Sequence, residues 1–517
     1  MGNSSSQDLP KNWTKVTIND LVGIRGVFRD GDWVESKDQD QNGQVRLIQL
    51  ADIGDGEFRD KSSRFLTPNK AIELNCTFLE TGDILVARMP DPLGRACLFP
   101  LKGSKKFITV VDVCIIRFGN DCIDVKYFMY ALNSPMSRRN ISDHQTGSTR
   151  KRISRGNLST VQFPIAPLPE QHRIVAKIEE LFSELDKGIE NLKTARAQLK
   201  VYRQALLKHA FEGKLTAQWR AENRDKLETA AALLKRVQTE PAQRYHQQLA
   251  DWEAAGKPAS KPKAPKALPS LTVEELAELP GLPKGWGWFK LADLSNISGG
   301  LTKNQKRNAL PIKRPFLRVG NVYANRLELG DMHDTGISET EIERVTLVKG
   351  DILVVEGNGS VDQIGRVAIW NGAIEGCVHQ NHLIKARPLN LVRSEFILYF
   401  LMSELGREFI VRAASSTSGL HTLSISKVES LFVPLCVREE QDTLLNELSS
   451  KLSLADQFDQ TLATSLQQTE ALRQSILKKA FSGQLVPQDP HDEPATVLLE
   501  RIRTEKATSP NNRKCGK

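Results

Sequence analysis

Two groups of side chains in this chain are of types that could do chemistry. His379-Gln380-Asn381-His382 packs two imidazoles and two amides into four residues, and Arg138, Arg139, Gln145, Ser148, Thr149, Arg150, Lys151, Arg152 and Arg155 make a basic, polar run. Paired histidines suggest a metal, but in a strand alternate residues share a face, so two histidines three apart point oppositely. Two ligands are also too few for a site, and no metal is expected. The histidine cluster then reads as a polar strand or turn, or as a contact to a DNA base edge. Arg, Lys, Asn and Gln carry the donors and acceptors that match guanine and adenine edges in the major groove. Lys303, Asn304, Gln305, Lys306 and Arg307, with Arg318, Gln380, Asn381 and His421, form a second set of this kind. For each residue in the two sets, base contact, phosphate contact and plain solvated charge stay open. No Gly-x-x-x-x-Gly-Lys-Ser/Thr loop exists to cradle a nucleotide, and Gly357-Asn358-Gly359 reads as a turn because no helix start follows it.

The elements that must position these side chains come in two copies. Arg203 to Leu215 (RQALLKHAFEGKL) returns as Arg473 to Leu485 (RQSILKKAFSGQL), identical at eight of thirteen positions, and the 270-residue offset holds back to Pro164 and Pro434. Leu9-Pro10-Lys11-Asn12-Trp13 returns as Leu282-Pro283-Lys284-Gly285-Trp286, Leu47 to Ile53 answers Phe316 to Val322, and Gly82-Asp83-Ile84-Leu85-Val86 recurs unchanged at Gly350 to Val354. Arg318 takes the place of Gln49. The ends of the unit are well kept and the middles diverge, which suggests one framework presenting two different readers.

Each copy opens with short Val/Ile-rich runs and turn clusters, which read as strands, plus a short amphipathic helix at Val125 to Asn133, echoed at Ser394 to Ser403. Gly82-Asp83 and Gly350-Asp351 read as structural turns. A long proline-free segment follows. Ile178, Leu185, Leu192, Leu199 and Leu206 recur every seventh residue, with Leu181, Ala195 and Tyr202 beside them; the second copy has Leu448, Ala455, Leu462, Thr469 and Ile476, with Leu444, Leu452, Phe458, Leu466 and Leu472 filling its stripe. Forty residues of helix make a rod of roughly 60 Å. Gly188 on the first seam costs about 1 kcal/mol relative to alanine or marks a bend. The two rods pair antiparallel.

The expected fold is therefore mixed α/β (α+β): two β-rich globular units joined by two long antiparallel coiled-coil helices, with a pseudo-twofold internal repeat. The expected division is 1–168 first globular unit, 169–215 first long helix, 216–281 helical connector and Pro/Lys-rich linker, 282–437 second globular unit, 438–485 second long helix and 486–517 a tail with a short helix. In the connector, Ala232 to Glu240 is matched by Val497 to Glu505, and the lysines between Lys257 and Lys266 read as solvated linker rather than a DNA contact.

A length of 517 residues exceeds one ordinary core, and 40% hydrophobic with 26% charged residues is ordinary globular composition. The net charge of +9 favours a polyanionic partner. Seven cysteines without a CxxC pair point to a reducing, cytoplasmic setting, and Met1-Gly2-Asn3-Ser4-Ser5-Ser6, although it satisfies an acylation pattern, reads as a leader.

The Leu-Pro-x-x-Trp openings, the Gly-Asp-Ile-Leu-Val strands, the entry Pro164 to Gln171 with its echo Pro434 to Gln441, and the Leu207-Lys208-x-Ala210-Phe211-x-Gly213-x-Leu215 exit together resemble the specificity subunit of type I restriction-modification systems. The second copy departs from the pattern where Val437-Arg438-Glu439 replaces Pro167-Leu168-Pro169. The resemblance implies that the globular units are target recognition domains, each reading half of a bipartite, asymmetric double-stranded DNA site. It implies that the helices space them and dock two modification subunits, which carry S-adenosylmethionine and methylate adenine, while two restriction subunits use ATP and Mg to cleave. This chain would bind no cofactor itself and be non-catalytic, in keeping with its lack of an Asn-Pro-Pro-Tyr or Asp-Pro-Pro-Tyr tetrapeptide. The competing readings are a duplicated protein-interaction scaffold with a coiled-coil spacer, and an enzyme in its own right.

Overall fold

A computed structural model of the chain describes residues 9–508 except 91, 102–105, 148–149, 258–260, 262–263, 265–270, 359 and 418–419. The leader, Cys515 and most of the Pro/Lys linker lie outside the described residues. The chain divides into two compact units, Met1–Thr194 with Leu462–Lys517, and Ala195–Thr461. The boundary falls inside both long helices, Leu168–Phe211 and Arg438–Ala480, rather than where each helix leaves its globular part.

The first unit holds an antiparallel four-stranded sheet in the order Val27–Asp30, Val113–Arg117, Ile84–Ala87, Arg95–Leu98. A three-stranded sheet has Val45–Ile48 at its centre, antiparallel to Arg64–Leu66 and parallel to Lys106–Thr109. Thr14–Val16 pairs with Phe163–Ile165, tying the start of the domain to the entry of its long helix. The second unit repeats this order strand for strand: Ser295–Gly299, Leu383–Pro388, Ile352–Val355, Val367–Ile369 in one sheet, Ile312–Leu317 between His333–Ile337 and Val378–His379 in another, and Gly287–Lys290 against Phe432–Leu435. The short helices fall at Val125–Asn133 and Ser394–Met402. Central strands Ile84–Ala87 and Ile352–Val355 are buried on both faces, which is why they read as unbroken apolar runs.

The turns entering those central strands carry the same ion pair. Gly82 and Gly350 have φ of +93° and +96°, a conformation that favours glycine. The next residue, Asp83 or Asp351, is buried and bidentate to an arginine on the neighbouring strand: Asp83 to Arg117 Nε and Nη2 at 2.6 and 2.7 Å, Asp351 to Arg387 at 2.6 and 2.7 Å. The helix entry is repeated as well. Gln171 Oε1 accepts from Asp124 N and its amide donates to Ala166 O; Gln441 Oε1 accepts from Arg393 N and its amide donates to Cys436 O. The loss of Pro167-Leu168-Pro169 from the second copy leaves this cap intact, because the glutamine rather than the prolines makes the bonds.

Within each unit the two long helices run antiparallel. In the second, Arg203 pairs with Asp456 at 2.7 Å and Arg196 with Asp459 at 2.9 Å, so ascending one helix descends the other. In the first, Asp186 meets Arg473 while Ile178, nearer the helix start, packs in one core with Ile476, Leu477 and Phe481. The seam is narrower than the stripe read from sequence. Ile178, Leu206, Leu444, Leu448, Ala455 and Ile476 are buried, but Tyr202, Phe458 and Leu472 are exposed. Two helices cover one a/d stripe, and a straight helix of 3.6 residues per turn carries the flanking positions out of it. Gly188 sits within an uninterrupted helix.

The helix exits close the globular cores. Phe481 lies 5.1 Å from Tyr127, which meets Trp13 edge-on at 6.5 Å; Phe211 lies 5.2 Å from Phe396, which is 5.9 Å from Trp286. Gly483 and Gly213, at φ +71° and +70°, let the chain turn off each helix against Pro10 and Pro283, where a Cβ would collide with the proline ring. Helices Ala495–Thr508 and Ala230–Ala254 then add Leu499 and Ile502 to the first core, and Leu233 and Val237 to the second. Replacing Phe481 with Ala should therefore destabilise the domain built from residues 9–168, more than 300 positions away in sequence, by about 3–5 kcal/mol. Phe211→Ala should act on the second unit instead. Hydrogen exchange resolved by segment would read which of the two becomes less protected.

Candidate nucleic-acid interface

In both units the edge strand of the four-stranded sheet delivers a variable loop to the same place. Val27–Asp30 leads to Asp32, which bridges Val110 and donates its N–H to Thr109 O at 2.8 Å; Ser295–Gly299 leads to Leu301, which bridges Gln380 and donates to His379 O at 2.8 Å. The residues that follow, 33–44 and 302–311, are thus counterparts. The basic cluster Lys303 to Arg307 occupies the second of these loops, and the structural match places Trp33 to Asp38 opposite it in the first. The repeat pattern in the sequence does not show this pairing, because the two loops share no motif.

A second loop converges on the same edge. Ile153 N donates to Arg88 O at 3.1 Å and Leu423 N to Glu356 O at 2.7 Å, so the segments before Ser154 and Ser424 hang from equivalent strand ends. Arg155 reaches the edge strand through Asp30 at 3.3 Å and Phe28 O at 3.3 Å, with its guanidinium over the Phe28 ring. In the first unit the hanging segment is closed by a bridge between Thr146 and Arg152. In the second it is a hairpin, Ser415–Thr417 with Leu420–Thr422, extended by Gly357–Asn358. Gly357 and Asn358 are therefore a strand, not the turn expected, because His421 and Thr422 offer them a ladder.

The structure sorts the candidate residues. Arg139, Gln145, Arg150, Lys151 and Arg152 are exposed, and among the described residues none of these cations has an ion pair; Lys303 and Lys306 are likewise exposed and unpaired. Thr149 and Ser148 lie outside the described residues. Arg155 is exposed but shared with Asp30, and His421 is half-buried in the hairpin. Gln380 and Asn381 are half-buried, and Gln380 Oε1 accepts from Val319 N at 3.3 Å. Arg318, Gln380, Asn321 and Asp331 line one cavity of about 500 Å³, with Arg318 held by Asp331 Oδ2 at 2.8 Å.

Three candidates are corrected. Arg138 donates to Leu93 O at 2.6 Å and Asn133 Oδ1 at 2.8 Å and pairs with Asp55; burial pushes its pKa down to about 10, so this guanidinium braces the domain from within. Arg307 is bidentate to Glu341 at 2.8 and 3.0 Å and donates to Thr302 O and Gly336 O, and this arginine's hydrogen bond holds the Glu341 carboxyl down at about 2. It shapes the loop that carries Lys303 and Lys306. His379 is fully buried with Nδ1 2.9 Å from Val345 O, out of reach of any DNA edge. His382 points away to Glu356 at 2.8 Å, and no group of three or more potential metal ligands occurs among the described residues.

Against this geometry the comparisons are specific. The type I restriction modification DNA specificity domain matches residues 10–194 and 283–464, and the chain belongs to that family. It is 25% identical to the type I restriction enzyme EcoKI specificity subunit of Escherichia coli K12 over 98% of both chains, and 25% identical to the StySPI specificity subunit of Salmonella potsdam over 97% of both. In fold it is similar to a chain from a structural study of complex assembly and conformational transition in a type I R-M system (TM-score 0.61, 17% identity, covering 92% of this chain and 99% of that one). It is similar too to the HsdS subunit of Thermoanaerobacter tengcongensis (TM-score 0.51, 17% identity, 93% and 99%). The chain is a specificity subunit, a sequence-specific DNA-binding and non-catalytic component that works with DNA and partner subunits. No helix among the described residues is long and apolar enough to cross a membrane.

Two outcomes follow from the site. Neutralising Arg150, Lys151 and Arg152 together should weaken binding to all DNA sequences and flatten the slope of log affinity against log salt by about 0.9 for each phosphate left without its cation, read by titration at several salt concentrations. Arg138→Ala should lower the melting point instead. The second concerns His379, whose pKa burial pushes down to about 4 from an unfolded value near 6.5. A depressed folded pKa means the neutral ring is favoured in the native state, so its contribution is whole above pH 6.5 and drains away as pH falls towards 4. On the order of 2–3 kcal/mol of second-unit stability should disappear across that window. In His379→Gln this part of the pH dependence should be absent in denaturation curves.

Proposed function

We propose that each globular domain reads one half of a bipartite, asymmetric DNA site, the first through the surface built from residues 31–44, 145–147 and 150–155 and the second through 301–311 and the strands Ser415–Thr417 and Leu420–Thr422. The supporting observation is a framework repeated to the level of single ion pairs, Asp83–Arg117 and Asp351–Arg387, that presents loops differing in charge and secondary structure. Two readers of one sequence would not need to differ there. Exposed Arg150, Lys151 and Arg152 on one and Lys303 and Lys306 on the other supply phosphate anchors, and the amides and hydroxyls between them supply base-edge chemistry. In this reading the helices, 44 and 43 residues long, set the spacing between half-sites and dock two modification subunits. S-adenosylmethionine, ATP and Mg belong to the partners, which methylate adenine in each half-site and, with two restriction subunits, cleave unmethylated DNA in the cytoplasm. Joining two weak readers makes the second binding event intramolecular, so selectivity rises only when both half-sites fit the spacing.

Methylome sequencing of a host expressing the chain with its partners should show one modified adenine in each of two unlike half-sites. Inserting four residues into both long helices, at matched positions, should change the number of base pairs between the half-sites and leave their sequences alone. An unchanged gap would remove the helices from any role in measuring it.

A further inference from the structure

Trp33 is 69% exposed, whereas the other six tryptophans are buried or half-buried. An indole carries roughly 150–250 Å² of mostly apolar surface, and leaving it in water runs against the hydrophobic effect unless something covers it in use. The side chain is held rather than adrift. Its Nε1 donates to Glu35 Oε1 at 3.2 Å, Glu35 pairs with Lys37 at 2.8 Å, and Glu35 N donates to Asp38 Oδ2 at 3.0 Å. The one polar edge of the indole is thus used up inside the loop, and what faces solvent is ring.

The ring stands one residue beyond Asp32, at the scaffold position that carries Thr302 and then Lys303 to Lys306 in the second unit. Of the neighbouring acids, Asp30 is matched by Arg88 and Arg155, Glu35 by Lys37 and Asp38 by Lys70 at 3.7 Å, while Asp32 accepts from Thr77 N at 3.1 Å. Exposed Arg29, on the strand that leads to Trp33, and Arg150, Lys151 and Arg152, in the segment tied to that strand's end through Arg155 and Asp30, remain without an ion pair among the described residues and are available to phosphates. With its N–H committed, this face cannot read a base edge by hydrogen bonding. It can stack, and transfer of a methyl group to a base requires that the base leave the helix, opening a place for such a ring.

We infer that Trp33 stacks on an unstacked base in the first half-site, as an aromatic wedge that the second domain lacks. The inference rests on the DNA-reading function proposed above. The test uses the full chain assembled with the modification subunits of its own system, and DNA duplexes with 2-aminopurine placed at successive positions of the first half-site. Wild type should bind in a salt-dependent way and change 2-aminopurine fluorescence at one position. Trp33→Ala should bind about tenfold or more weakly with an unchanged salt slope, lose that fluorescence change and melt as wild type does. Trp33→Phe should keep most of both, since a ring remains. Wild-type behaviour in Trp33→Ala overturns the inference. So does normal DNA binding with abolished methylation, which would place the indole on a modification subunit, and so does equal damage in both variants, which would trace the effect to the Glu35 hydrogen bond. Absence of salt-dependent DNA binding by the wild-type assembly would instead overturn the DNA-reading function itself.

Discussion

Neither globular domain of this chain completes its own hydrophobic core. The first is closed by Ile476, Leu477, Ala480 and Phe481 from the end of the second long helix, and the second by Leu206, Leu207, Ala210 and Phe211 from the end of the first. A buried aromatic of this size contributes a few kcal/mol by desolvation alone, and a domain that borrows one such ring together with three aliphatic side chains depends on the lender for much of its net stability. The best-kept segments of the repeat, the Leu-Pro-x-x-Trp opening and the Ala-Phe-x-Gly exit, are the two sides of that closure: Pro10 seats on Gly483 and Pro283 on Gly213. Each copy's opening is matched to the other copy's exit.

This exchange explains why the helix boundaries and the domain boundaries do not coincide. The division at Thr194 and Ala195 separates two packing environments along one continuous helix, because each half of the helix is held by a different core. It also frees the loops at the outer edge of each domain. With the sheet order, the Asp–Arg pair and the glutamine cap all serving the framework, the segments after Asp32 and Leu301 and those before Ser154 and Ser424 carry little of the core, and there the two copies differ in charge and in secondary structure.

Much of the framework was legible in the linear pattern. The 270-residue offset, the glycine at each helix exit and the apolar runs of the central strands follow from short-range rules of backbone geometry and burial. The candidate site was less legible. Arg138 and Arg307 sit in basic runs and look like DNA contacts, yet each is taken by a carboxylate distant in sequence: Asp55 lies 83 residues from Arg138 and Glu341 lies 34 residues from Arg307. His379 looks available until its strand is seen to be buried beside Phe316 and Leu317. Nothing in the sequence marks Trp33, since a lone tryptophan in a polar segment has no periodicity; only the shared bridge that follows each edge strand shows that it stands where the second copy puts its lysines.

The amino-acid order by itself determined that there are two copies, that each is a mainly β domain followed by a long amphipathic helix, and that the pair resembles a DNA specificity subunit. These are properties of local periodicity and self-similarity, which a one-dimensional string records in full. Only the tertiary structure decided which charges stay free, which helix closes which core, and which loops occupy matching places. Each of those depends on partners tens or hundreds of residues apart, and an arginine shows nothing in sequence that tells whether a carboxylate will reach it before a phosphate can.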